Sequence, residues 1–79
     1  MAQLQVGDRV TVRAPVEPYY SGYGGNPRMT VTPGMVGIVQ SVGNPSVYRE
    51  GVTFDCVDFD IAGRVWRVGE RPEVFIKVG

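Results

Sequence analysis

The chain has 79 residues, with eight Lys or Arg against eight Asp or Glu and no His. Balanced charge argues against a partner recruited by bulk electrostatics, such as duplex nucleic acid or an anionic membrane. A single cysteine leaves no internal disulfide and no cysteine-based metal site within one chain, and the missing His removes the commonest general base and transition-metal ligand.

The length fits one domain, residues 1–79, and folding at this size buries about 60% of the unfolded surface, which is marginal. Met1 to Gly7 lacks a basic start followed by an apolar run, so no signal peptide is expected. No apolar stretch nears the roughly 20 residues that cross a bilayer. The expected setting is the cytoplasm, or a virion if the chain is phage-encoded. Cys56 lies in an apolar run and reads as a small core residue.

The first predicted strand is Val6 to Val16. Val6, Val10 and Val12 share one parity, and Arg9, Thr11 and Arg13 the other, which is the alternation of a half-buried strand. Pro15 and Pro18 end it. A long loop runs from Glu17 to Gly34, rich in Gly and Pro, with Tyr19, Tyr20 and Tyr23 among them. At about 18 residues it exceeds ordinary loop length, so it is functional, self-packed or partly paired. Met29, Val31 and the β-branched Thr30 and Thr32 are suited to a short strand inside it.

Met35 to Val42 is the second clear strand. Gly37 marks a bulge or a close backbone approach. Gly43 to Ser46 make a turn. Gly51 to Ile61 is the third strand, and its apolar parity switches: Val52, Phe54 and Cys56, then Val57, Phe59 and Ile61. The switch predicts a bulge or sharp bend near Cys56 and Val57.

Ala62 and Gly63 turn the chain back. A two-residue loop sets Phe59 opposite Trp66, Asp58 opposite Arg67 and Val57 opposite Val68. Phe59, Ile61, Trp66 and Val68 then share the buried face, and Asp58 and Arg67 pair on the wet one. A three-residue loop would slip the register and send Trp66 outward. The two-residue loop separates the faces more cleanly. A last strand, Val74 to Val78, carries Val74, Ile76 and Val78 on one side. No window keeps a 3.6-residue apolar period, so no helix is predicted. The fold class is all-β: about five short antiparallel strands, one long first loop, and a small barrel, closed or nearly so, which hides sheet edges.

Val6-Gly7-Asp8-Arg9-Val10, a long loop, then Gly34-Met35-Val36-Gly37-Ile38-Val39 is similar to the SH3-like barrels grouped as electron-transport accessory proteins. These include the variable chain of ferredoxin–thioredoxin reductase, the C-terminal domain of the nitrile hydratase β-subunit and a small photosystem I subunit. Arg71-Pro72-Glu73-Val74 resembles the run that leads into the last strand of the reductase variable chain, and Tyr19-Tyr20 lie where that chain has an aromatic before its first loop. The resemblance implies an SH3-like barrel and a role beside a larger partner.

Tyrosines among glycines give rigid contact area on an adaptable backbone, which suits a protein interface. The competing reading is that some of these rings roof the barrel end. Asp55, Asp58 and Asp60 read as a solvated face paired with Arg64 and Arg67. Asp58, Asp60 and Gly63 partly match a calcium loop, but Ala62 and Gly69 stand where ligands belong, so no metal is expected. Seven of the eight basic residues are Arg, which read as surface salt links rather than a nucleic-acid site. Val39-Gln40-Ser41-Val42 begins like the Val-Gln-Ile-Tyr pore run of type II dihydrofolate reductases but lacks its Ile-Tyr. An oligomeric reductase of that kind is the remote alternative.

The expected function is non-catalytic: an accessory or structural subunit that docks on another protein, or on copies of itself in a larger assembly. No cofactor and no small-molecule substrate are expected. The contact residues are Tyr19, Tyr20, Tyr23 and Arg28 in the long loop, with Tyr48 and Arg49 in the second. A virion structural protein, such as a capsid decoration or connector subunit, is the alternative.

Overall fold

In the computed structural model, residues 4–18, 20–21 and 29–78 are described, 20–21 by backbone alone. The strands are β1 (Arg9–Val12), β2 (Tyr20–Ser21), β3 (Gly37–Pro45), β4 (Thr53–Ile61), β5 (Arg64–Glu70) and β6 (Phe75–Lys77). A three-residue 3-10 turn, Pro72–Val74, leads into β6 with Pro at its start, where no N–H is needed. The described pairs are antiparallel, in the order β2-β5-β4-β3-β1-β6. This is the expected all-β class: five strands of three or more residues and the two-residue β2. Among the described residues no helix is long and apolar enough to cross a membrane.

Among the described residues no second layer covers this sheet, yet its apolar side chains form one core. Val10, Val12, Val31, Val39, Val57, Phe59, Val68 and Phe75 cluster there with almost no exposure. They come from β1, β3, β4, β5, β6 and the long loop. A single sheet buries such a set by curling over its own inward face. The curl stops short of closure: among the described residues, β2 and β6 are edges of the ladder and do not pair.

The β4–β5 hairpin follows its predicted register, with Phe59 opposite Trp66, Asp58 opposite Arg67 and Val57 opposite Val68. Ala62 and Gly63 both have positive φ, 54° and 79°. That is the two-residue turn whose twist matches the flanking strands. Trp66 is buried, and Ile61 packs partly buried against the core.

Gly37 is a close approach, one of the two roles expected for it. A Cβ there would sit 2.7 Å from Val57 Cγ1, 2.8 Å from Asp58 O and 2.9 Å from Phe59 Cδ2. The bare backbone lets β3 press against β4 where the sheet curls.

Several expectations need correction. The turn expected at Gly43 to Ser46 starts later, because Gly43, Asn44 and Pro45 belong to β3 and Asn44 and Pro45 pair with β4. β1 begins at Arg9, and Val6 lies exposed in the preceding turn. There Gly7 has φ +94° and donates its N–H to Val39 O, so alternation cannot extend back to Val6. On β6 the buried side chain is Phe75, while Ile76 is partly exposed, because the 3-10 turn absorbs Val74 and resets the parity. The irregularity near Cys56 and Val57 sits on the other strand. Val39 opposes Val57, Ser41 opposes Cys56 and Asn44 opposes Phe54, so the extra residues are in β3, while the β4–β5 register is unbroken. The short strand expected at Met29 to Thr32 is a single bridge, Val16 to Val31, with hydrogen bonds of 2.9 and 2.8 Å. It pins the base of the long loop and delivers Val31 to the core.

Candidate functional site

The β3–β4 connection forms an exposed tip. Ser46 N–H donates to Val52 O at 2.9 Å, closing the loop, and Val52 N–H returns to Arg49 O at 3.3 Å. The Ser46 hydroxyl accepts from both Tyr48 N–H and Arg49 N–H, each at 3.1 Å. A short hydroxyl side chain so placed satisfies turn amides that no ladder reaches. The result is a braced platform for three adjacent side chains. Val47 is 87% exposed, Tyr48 is 93% exposed, and Arg49 is exposed beside them. A branched aliphatic group, a phenol and a guanidinium offer apolar area, one hydroxyl and a forked cation. They offer no nucleophile with a base.

Behind the tip, Asn44 holds the irregular part of β3. Its Nδ2 donates to Ser41 Oγ at 2.9 Å and to Phe54 O at 3.1 Å. These bonds fasten the extra β3 residues to β4, so the tip leaves the sheet at a set angle. Cys56 is buried, as its apolar surroundings suggested, and the Asn44 amide approaches its Sγ at 3.9 Å.

Tyr48 and Arg49 thus occupy one exposed tip. Tyr20 enters β2, where its backbone pairs opposite Arg67 on β5. This places the backbone of Tyr20 and Ser21 along the outer edge of the hairpin, opposite Arg67 and Trp66. Tyr19, Tyr23 and Arg28 lie outside the described residues. Val47 was missed by the sequence reading. Its signal was an apolar residue inside a turn, where no buried face calls for one.

The acidic run divides between two faces. Arg67 grips Asp58 with two bonds, Nε to Oδ1 at 2.7 Å and Nη2 to Oδ2 at 2.9 Å. Asp60 is exposed. Asp55 is not on the solvated face: it is 3% exposed, shares its parity with Val57 and Phe59, and accepts Gly43 N–H on Oδ1 at 3.0 Å. The same alternation that buries Phe59 carries Asp55 inward, four residues along the strand. Alternation separates Asp58 from Asp55, and no group of three or more metal-ligating side chains gathers among the described residues.

The Gly7-Asp8-Arg9-Val10 motif has a structural job. The Asp8 carboxylate accepts Gln5 N–H at 2.9 Å and meets Lys77 Nζ at 3.4 Å, tying the entry turn to the last strand. Val39 N–H donates to Asp8 O, which extends the β1–β3 ladder back to that turn.

Comparisons with protein-family models, with curated proteins and with solved structures found no match to this chain.

Proposed function

We propose that the protein is a non-catalytic docking module, an accessory or structural subunit that binds another protein through its loops. One observation carries this reading: Val47 and Tyr48 stand side by side, almost wholly exposed, on a tip braced by Ser46. Exposed apolar and aromatic groups gain most when a partner covers them, and a braced loop loses little entropy on binding. Arg49 adds a cation suited to a carboxylate on the partner. The long-loop residues Tyr19, Tyr20, Tyr23 and Arg28 form the second part of the proposed contact; of these, Tyr20 enters β2, whose backbone pairs with the edge of β5.

The test is a comparison of the proteins retained by the immobilised full chain and by its Tyr48→Ala variant in an extract of the source. A docking tip predicts that a partner held by the first is lost from the second, with affinity down roughly 30-fold for a central aromatic anchor. Size measurements on both proteins cover docking onto copies of the same chain. An identical retained set, with identical size and unchanged fold, would reject the tip as the contact.

A further inference from the structure

An open groove of about 510 Å³ lies beside β6, and none of the three exposed residues of the tip lines it. Leu4, Val42, Phe75 and Ile76 give it apolar walls, and Val42 and Ile76 remain 41% and 37% exposed. Asp55 also lines it.

Among the described residues, no strand pairs with the edge of β6 that faces away from β1. Val78 N–H donates to Arg9 O, Arg13 N–H donates to Val74 O, and Thr11 opposes Ile76. Antiparallel bonding alternates, so residues 74, 76 and 78 point their main-chain groups at β1, and Phe75 and Lys77 point theirs away. The Phe75 N–H is taken by Pro72 O in the 3-10 turn. The outer edge therefore presents Phe75 C=O, Lys77 N–H and Lys77 C=O, and no strand among the described residues pairs there. That set matches the donors and acceptors of an incoming strand.

The charges favour one kind of strand. Asp55 spends one oxygen on Gly43 N–H, and its other oxygen has room for a donor. Glu70 is directly opposite Asp55 across β4 and β5 and is half-buried. Two facing carboxylates repel, and neither has an ion-pair partner among the described residues. The cations on the groove rim are engaged elsewhere: Lys77 with Asp8, and Arg13 Nε with Glu73 O.

We propose that this groove takes an extended peptide by strand addition to β6, with an arginine or lysine of the peptide reaching Asp55. Main-chain bonds to Phe75 and Lys77 hold the strand. Leu4, Val42 and Ile76 cover its apolar side chains, and the Asp55 carboxylate selects the cation. An acidic peptide brings a third negative charge to Asp55 and Glu70. A wholly apolar one covers Asp55 without supplying a donor, which costs more than leaving it wet.

The experiment titrates the 15N-labelled full chain with a capped seven-residue peptide of alternating valine and threonine around a central arginine. The expected result is amide shifts at Phe75, Lys77 and Gly43, unchanged in the Tyr48→Ala protein. Replacing the central arginine by glutamate or norleucine weakens binding tenfold or more, on the order of one charged hydrogen bond. Asp55→Asn, which keeps an acceptor for Gly43 N–H, reduces the arginine-over-norleucine preference. If that variant does not fold, a peptide N-methylated at its central residues keeps the test decisive, because strand addition predicts its loss of binding. No shifts at millimolar peptide, shifts confined to the tip, or equal binding of the N-methylated peptide would overturn the proposal. A concentration-dependent dimer giving the same shifts without peptide would overturn it in favour of a second copy as occupant.

Discussion

Strand β4 pairs with β5 on one side and with β3 on the other, and the two ladders are built differently. The β5 side runs from Asp55–Glu70 to Ile61–Arg64 without a break and ends in a two-residue turn. The β3 side slips twice and ends in the exposed loop around Tyr48. The regular ladder lines up Val57, Phe59 and Val68 in the core. The irregular one supplies the curvature, since an extra residue bends its strand and increases the local twist. It also carries the tip. The difference teaches a division of labour along one strand: stability comes from the side with perfect register, and the displayed surface from the side without it.

The comparison is broken most severely at Gly37, where β3 leaves no room for a side chain against β4. Gly37→Ala places a Cβ under 3 Å from Val57, Asp58 and Phe59. The expected cost is about 2–3 kcal/mol, as for an overpacked core, read by chemical denaturation. A change below about 0.5 kcal/mol would show that the two strands are free to separate.

The next effect sharpens the comparison on the irregular side. Asn44→Ala removes the bonds to Ser41 Oγ and Phe54 O. A loss of about 1–2 kcal/mol is expected, because Phe54 C=O is left in a half-buried setting. Amide exchange should quicken around residues 44–54 and stay slow along Phe59–Trp66. Equal quickening in both hairpins would mean that the ladders share one stability.

Ala62→Asn acts on the regular side in the opposite direction. Ala62 holds a φ of 54°, which an alanine adopts at a cost and an asparagine tolerates. A gain of about 0.5–1 kcal/mol is expected, visible as a raised Tm. Tyr48→Ala has the smallest effect on folding. Its ring is 93% exposed, so stability should stay within about 0.5 kcal/mol of the parent while docking is lost. A large destabilisation would make the ring a structural element and remove it from the contact.

The β4–β5 hairpin was legible down to individual pairs, because a two-residue turn leaves a single register that buries Phe59 with Trp66 and matches Asp58 with Arg67. Gly37 was legible for a related reason: a glycine inside an apolar strand signals a neighbour too close for a side chain. The tip was legible in part. Tyr48 and Arg49 stood out as large polar-tipped groups in a Gly, Pro and Ser turn, but Val47 passed for an ordinary apolar residue. Asp55 was misread with Asp58 and Asp60 because an acidic run suggests water. Its parity with Phe59 was the better guide.

From the amino-acid sequence alone came the all-β class, the tight turn at Ala62 and Gly63 with its register, and the spare backbone at Gly37. These depend on alternation and turn geometry, which act over a few neighbouring residues. Tertiary structure decided which strand takes the extra residues, which edge of the sheet stays open, and that Asp55 faces the groove. Those outcomes depend on how far the whole sheet curls, and no local stretch of chain encodes that.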